Sequence, residues 1–343
     1  MSRPTLSVSR EQIVGHRRRA NELDARLPHG AESLRRAAWA GLPDSMPRAA
    51  LLSIHARVEG TEASTWDDPS LVQLWGPRFS AYVVAAVDLP VFSLGRFPDD
   101  ARAQGVAEEM ASGLEVFLDG RRMRYDDAGM AMGVHPNRLR YGATTGRVVI
   151  RWEGARRPIV WTVPAPAVTA REARQELARR HVHVFGPTTA GAFAKWAGIG
   201  PREARATFVG LEPELLPVST PIGDGWILAA DEPSFRAGPG DTAPARLLPS
   251  GDTYSLLHGR DRELLVESSE RRAELWTPRV WPGAVLVAGE VAGTWRRAGS
   301  DLSIRPWREL ASSERAAVEA EAAALPLPTL TRPISVRWER PLT

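Results

Sequence analysis

At 343 residues the chain is long enough for two or three compact units, each burying its own core. A hydrophobic share of 43% with 25% charged residues is that of a water-soluble globular protein, and no apolar run approaches the roughly 18–20 residues of a bilayer span. The net charge of +3 is too small to make the whole surface a polyanion binder, so any nucleic-acid site must come from arginines gathered on one face. Zero cysteines exclude disulfides, thiolate nucleophiles and cysteine-ligated zinc or iron–sulfur sites. The opening MSRPTLSVSREQ lacks the apolar stretch of a secretory signal, so a cytoplasmic protein is expected, and with no long leucine-heptad helix to pair two chains, a monomer. Lys195 is the single lysine; every other fixed cation is arginine, which suits bidentate phosphate contact and is equally the mark of a GC-rich genome.

Ser9-Arg10-Glu11-Gln12 fits a capping box and predicts a helix to about Asp24. The alanine-rich stretch Leu51–Ser64 follows, closed by Asp67-Asp68-Pro69. Leu71–Trp75 and Ser80–Val84, joined by Gly76-Pro77, read as a hairpin. The same grammar returns with a helix over Asp99–Phe117, two short helices around Gly133, and strands Arg147–Trp152 and Pro158–Val163. Thr169-Ala170-Arg171-Glu172 caps a helix to about His181. A third unit combines helices Thr189–Ala197 and Arg202–Val209 with strands Leu215–Ser219 and Gly225–Ala229. After a loop over Phe235–Ala245 comes a β-meander of Val285–Ala288, Val291–Arg296 and Leu302–Pro306. A helix over Ser312–Leu325 precedes a proline-punctuated tail in which only Ile334–Trp338 reads as an edge strand. The pattern predicts an α+β protein of tandem helix-then-hairpin modules. Its expected units are residues 1–95, 96–185 (with the linking helix) and 186–235, followed by a β-rich domain over 245–343.

Four segments, by their order and spacing, resemble the bacterial winged-helix DNA glycosylases of the AlkZ and YcaQ type. They are Leu71–Arg78 with Asp88-Leu89-Pro90, Phe193–Gly198, Arg246–Asp252, and Gly289–Arg297. The resemblance implies tandem winged helices forming a concave channel for duplex DNA and hydrolysis of the N-glycosidic bond of alkylated purines. N7-alkylguanines, bulky adducts and interstrand crosslinks are the implied substrates, with self-resistance to a genotoxic metabolite as one biological setting. It also implies a short glutamine–apolar–glutamine or glutamine–apolar–aspartate motif that positions water, and the matching place here reads His55-Ala56-Arg57. The reading as a non-catalytic winged-helix regulator or lesion binder stands beside it, carried by Arg57.

An N7-alkylated purine leaves readily, so a hydrogen-bonding side chain that aligns water beneath C1′ suffices, and His55 is the expected catalytic group. A guanidinium ~4 Å from the developing sugar cation would oppose it by roughly 4 kcal/mol at an effective dielectric near 20. If the segment is helical, His55, Glu59 and Glu62 share a face and Glu59 orients His55 or stabilises the cation. If it is extended, Arg57 lies beside His55 and clamps a phosphate. Arg78, Lys195, Arg296 and Arg297 in the family-like segments, with Arg260 and Arg262, are the expected DNA contacts. Whether the nucleotide is flipped stays open. Arg17-Arg18-Arg19 reads as a solvated face. His181 and His183 alternate without a third ligand spaced beside them, so no metal is expected, nor any cofactor. Trp75, Trp196 and Trp295 sit among apolar neighbours and read as core.

Overall fold

In the computed structural model, residues 6–46, 48–153, 156–240, 243–327 and 332–340 are described. The fold is α+β, and the strands of the described residues form three sheets. In chain order the strands are β1 (Leu6–Ser7), β2 (Leu42–Pro43), β3 (Leu71–Trp75), β4 (Ala81–Ala85), β5 (Met123–Arg124), β6 (Val148–Arg151) and β7 (Ile159–Thr162). Then come β8 (Leu215–Thr220), β9 (Gly223–Leu228), β10 (Arg246–Leu248), β11 (Gly283–Val287), β12 (Glu290–Ala298), β13 (Asp301–Pro306) and β14 (Ser335–Trp338).

The predicted hairpins are present, but the first two are not separate. β3 pairs antiparallel with β6 at Gln73 and Ile150, so both hairpins belong to one six-stranded sheet ordered β2-β4-β3-β6-β7-β5. The boundary expected at 95/96 therefore divides the sequence without dividing the sheet. In the third unit β8 and β9 pair from Leu215–Leu228 to Thr220–Gly223, and β1 adds to them in parallel through Leu6 and Val218. The C-terminal sheet runs β10-β11-β12-β13-β14, with the predicted tail strand on its edge. Residues 328–331 and 341–343 of that tail, and 241–242 of the expected 235–245 loop, lie outside the described residues.

Both capping boxes form, at Ser9 with Gln12 and at Thr169 with Glu172. The first helix, Arg10–Ala20, ends earlier than expected because Asn21 turns its amide back onto the Arg17 carbonyl at 2.7 Å. The Thr169-capped helix runs on to Phe185. Within Leu51–Ser64 only Ala49–His55 is α-helical. Beyond it the chain is pulled out of the helix by backbone bonds from Leu27 N–H to the Arg57 carbonyl (2.8 Å) and from Glu59 N–H to the Leu27 carbonyl (2.9 Å).

The basic run on the first helix is not a solvated face. Arg17 and Arg18 are buried. Arg17 donates to the carbonyls of Phe185 (2.8 Å) and Gly186 (3.1 Å), groups that the end of a neighbouring helix leaves without internal partners. Arg18 bonds Asp24 and the Pro239 carbonyl. These arginines dock the N-terminal helix on the rest of the fold. Trp75, Trp196 and Trp295 are all buried, as expected.

Candidate functional site

His55, Ala56 and Arg57 lie at and just beyond the end of the Ala49–His55 helix, all closed to solvent. Arg57, 1% exposed, makes two 2.8 Å hydrogen bonds to the fully buried Asp252 carboxylate and a third, 2.9 Å, to the Ser53 carbonyl. A guanidinium spent in this way has no face left for a phosphate, so the phosphate-clamp expectation for Arg57 is corrected. His55 is held from the other side. Arg26 donates to its carbonyl (2.6 Å), approaches its Nε2 (3.1 Å), and binds both oxygens of Glu321 at 2.7 Å. Burial, with the charges of Arg26 and Arg246, pushes the His55 imidazole down to about 4, so it is neutral at pH 7. Glu59 is exposed beyond the helix, and the carboxylate near His55 is instead Glu321, 3.7 Å away. The motif is a knot joining the first helices to the C-terminal domain rather than an open site.

The sequence segments that carry the family resemblance converge elsewhere. A cavity of about 150 Å³ is lined by Pro77 and Arg78, by Trp196, and by Ser250 and Gly251, which come from three of the four segments. Pro43, Ser45 and Met46 form a further side, and Tyr82, Leu256 and His258 complete much of the lining. Local structure explains the convergence. Arg78 and Phe79 both have φ of 56°, a left-handed conformation costly for side chains of their size. The turn is held by Gly198, the left-handed cap of the Ala190–Ala197 helix, where a Cβ would meet the Arg78 backbone at 3.1 Å. Gly76 has a similar role, since a Cβ there would meet the Tyr82 side chain at 2.9 Å. The exposed Arg78, which lines the cavity, and the exposed Lys195, next to the lining Trp196, thus bring their charges near His258 from segments more than a hundred residues apart.

His258 lines this cavity, half-buried. Burial lowers its pKa, and the charges of Arg78, Arg262 and Lys195 lower it further against the opposing Asp261. A neutral imidazole keeps a lone pair free among cations. Trp196 adds an indole N–H that is buried and has no acceptor among the described residues. Behind the lip formed by Pro43 and Ser45, Asp44 is buried. Its carboxylate accepts from the Ala50 N–H (3.0 Å) and the Gln73 amide (2.6 Å). Burial nevertheless pushes that carboxyl up to about 7, against these donors and the charges of Arg48 and Arg151.

The other expected DNA contacts divide. Arg262 lies across Trp276 (4.9 Å) and Trp281 (5.3 Å) and donates to the Leu257 carbonyl, which fixes the loop carrying His258. Arg296 donates to the carbonyl of Val280, the neighbour of Trp281, and so joins the same surface. Arg260 is exposed and bonds the Ile222 carbonyl at the β8–β9 turn. Arg297 is exposed and donates to the Gly299 carbonyl. Sequence reasoning missed His258, Asp44 and Ser250 as site residues. The signal available was that three family-like segments contribute to one surface, with His258 six residues beyond the third.

The fold is shared with a solved structure: the DNA glycosylase AlkZ of Streptomyces sahachiroi matches with a TM-score of 0.76, covering 97% of this chain and 100% of that one at 17% sequence identity. A family model described as DNA glycosylase AlkZ-like matches residues 37–326, and the chain belongs to that family. No curated protein matches it in sequence. Membership sets the class as DNA glycosylase, with DNA as the substrate. Among the described residues no helix is long and apolar enough to cross a membrane.

Proposed function

We propose that the protein hydrolyses the N-glycosidic bond of alkylated purines in duplex DNA, N7-alkylguanine foremost, and that it does so at the His258 cavity rather than at His55. The observation that carries this reading is the convergence of three separated family-like segments on one cationic-rimmed cavity that holds a neutral imidazole. Arg78, Lys195 and Arg296 contact phosphates and set the register of the duplex. His258 accepts a proton from water as the water oxygen bonds to C1′. The C1′–N9 bond breaks with its electron pair passing to the base, which leaves neutral because the alkylated ring already carried a positive charge. The Asp44–Gln73 pair holds the Pro43–Ser45 lip in place. With water as the nucleophile and Lys195 engaged with phosphate, the product is an intact abasic site, the outcome of a monofunctional glycosylase. A cavity of about 150 Å³ is smaller than the roughly 300–1,000 Å³ of sites that engulf a ligand, which favours an open approach over full extrusion of a bulky adduct.

The test incubates purified protein with duplex carrying one N7-methylguanine or a bulkier N7 adduct and scores abasic sites by alkaline cleavage. Abasic sites that appear with wild type and are lost with His258→Ala support the reading. Tight binding to every duplex without cleavage of any would leave the non-catalytic lesion binder.

A further inference from the structure

His16, His183 and Asp231 come together at the wall of a cavity that shares no lining residue with the His258 cavity. Each offers a ligand atom within 4.8 Å of the others. They derive from three elements: the helix Arg10–Ala20, the helix Ala170–Phe185, and the turn that opens the helix Glu232–Arg236. His16 Nε2 lies 2.8 Å from the His183 carbonyl, an acceptor only, so this nitrogen carries the proton and Nδ1 holds the lone pair. That Nδ1 points toward Ser234 Oγ at 3.0 Å, and both residues line a cavity of about 510 Å³. The ring is fixed by stacking on Phe235, centroid to centroid 3.9 Å. The imidazole of His183 stands edge-on to that of His16 at 5.8 Å, with its Nδ1 2.9 Å from Asp231. A backbone carbonyl that fixes the tautomer of one histidine is the usual outer support of a metal-ligating imidazole.

We propose that His16, His183 and Asp231 form a binding site for a divalent transition-metal ion of the zinc class, independent of the glycosylase reading. Two imidazoles and one carboxylate are the donor set of three-ligand sites for such ions, which leave further positions open. Here those positions face the 510 Å³ cavity, on which Arg19, Arg26 and Arg36 also border. Arg36 is paired with Glu22, Arg26 with Glu321, and Arg19 with the Gly238 and Ser234 carbonyls, so none of these arginines takes the Asp231 carboxylate. The ion would bridge the N-terminal helix to the third unit.

The full chain, freed of metal by chelator and dialysis, is titrated with Zn²⁺ by calorimetry and with Co²⁺ by visible absorption. One equivalent with visible Co²⁺ bands is expected, lost or weakened at least ~100-fold in His183→Ala and in Asp231→Asn. His183 is half-buried at the cavity wall and Asp231→Asn preserves shape, so both variants are checked for the wild-type circular dichroism spectrum. His135→Ala, at an exposed histidine outside the cluster, should bind like wild type. Failure of wild type to bind Zn²⁺ below ~100 µM, or binding that both cluster variants retain, overturns the proposal.

Discussion

Arg57 and Asp252 face each other through two parallel hydrogen bonds of 2.8 Å, with neither side chain open to water. Asp252 also takes the Ser53 hydroxyl at 2.6 Å and the Tyr254 N–H at 2.9 Å, so its carboxylate is fully engaged. Removing Arg57 strands this charge in the interior. Arg57→Ala is expected to cost roughly 3–5 kcal/mol, the range for breaking one partner of a buried pair. Urea unfolding measures it, and a loss below ~1 kcal/mol would contradict the assignment. Replacing both partners by apolar residues of similar volume should recover most of that loss.

The two histidines are expected to separate by function. His55→Gln should leave excision by the folded protein within a few-fold, whereas His258→Ala should lower it by at least ~100-fold, the lower range for loss of a general base. Single-turnover rates with DNA affinity measured in parallel distinguish them. A larger kinetic loss in His55→Gln would return the chemistry to the motif matched by sequence.

Arg78 and Lys195 are assigned to phosphates rather than to bases. Each alanine substitution should weaken binding to all duplexes alike and reduce the slope of log affinity against log salt by about 1. A loss confined to lesion-bearing DNA, with the salt slope intact, would place the side chain on the base instead.

Acid stability follows from buried histidines. Burial, more than any neighbour, holds His16 and His55 at about 4 and His181 at about 3. Unfolded, each takes up a proton below its usual value of about 6.5. Their contribution is complete above that pH and is lost as pH falls toward 4. Asp44 acts in the opposite sense: its carboxyl, raised to about 7, contributes below its unfolded value of 3.8 and loses that contribution as pH rises toward 7. Near pH 5 the three histidines outweigh the one carboxyl. Unfolding then takes up about two protons, so stability should fall by roughly 3 kcal/mol per pH unit on acidification. Urea midpoints at pH 6 and pH 5 test this, and a flat or rising trend would refute it. His181→Phe should reduce the slope by about one proton.

The hairpins, both capping boxes and the tail strand were legible because each is a local pattern of alternation, caps and turns. The β3–β6 pairing was not, since Gln73 and Ile150 are 77 residues apart and no periodicity names a distant partner. For the same reason the burial of His55 was not legible. Its partners Arg26 and Glu321 are remote in sequence, and a motif position does not reveal whether a side chain is closed off by them. The basic rim was half legible: Arg78 and Lys195 could be named, but their meeting depends on the left-handed turn that Gly198 supports.

Gln73 ties several of these features together. Its backbone joins the first hairpin to the second, one end of its amide donates to Asp44, and the other accepts from the Trp152 N–H. The lip of the cavity is therefore inherited from two units at once. A chain whose second unit was exchanged would keep Asp44 and Gln73 but lose the Trp152 N–H that fixes the other end of the Gln73 amide, so the lip constrains which second units can follow the first.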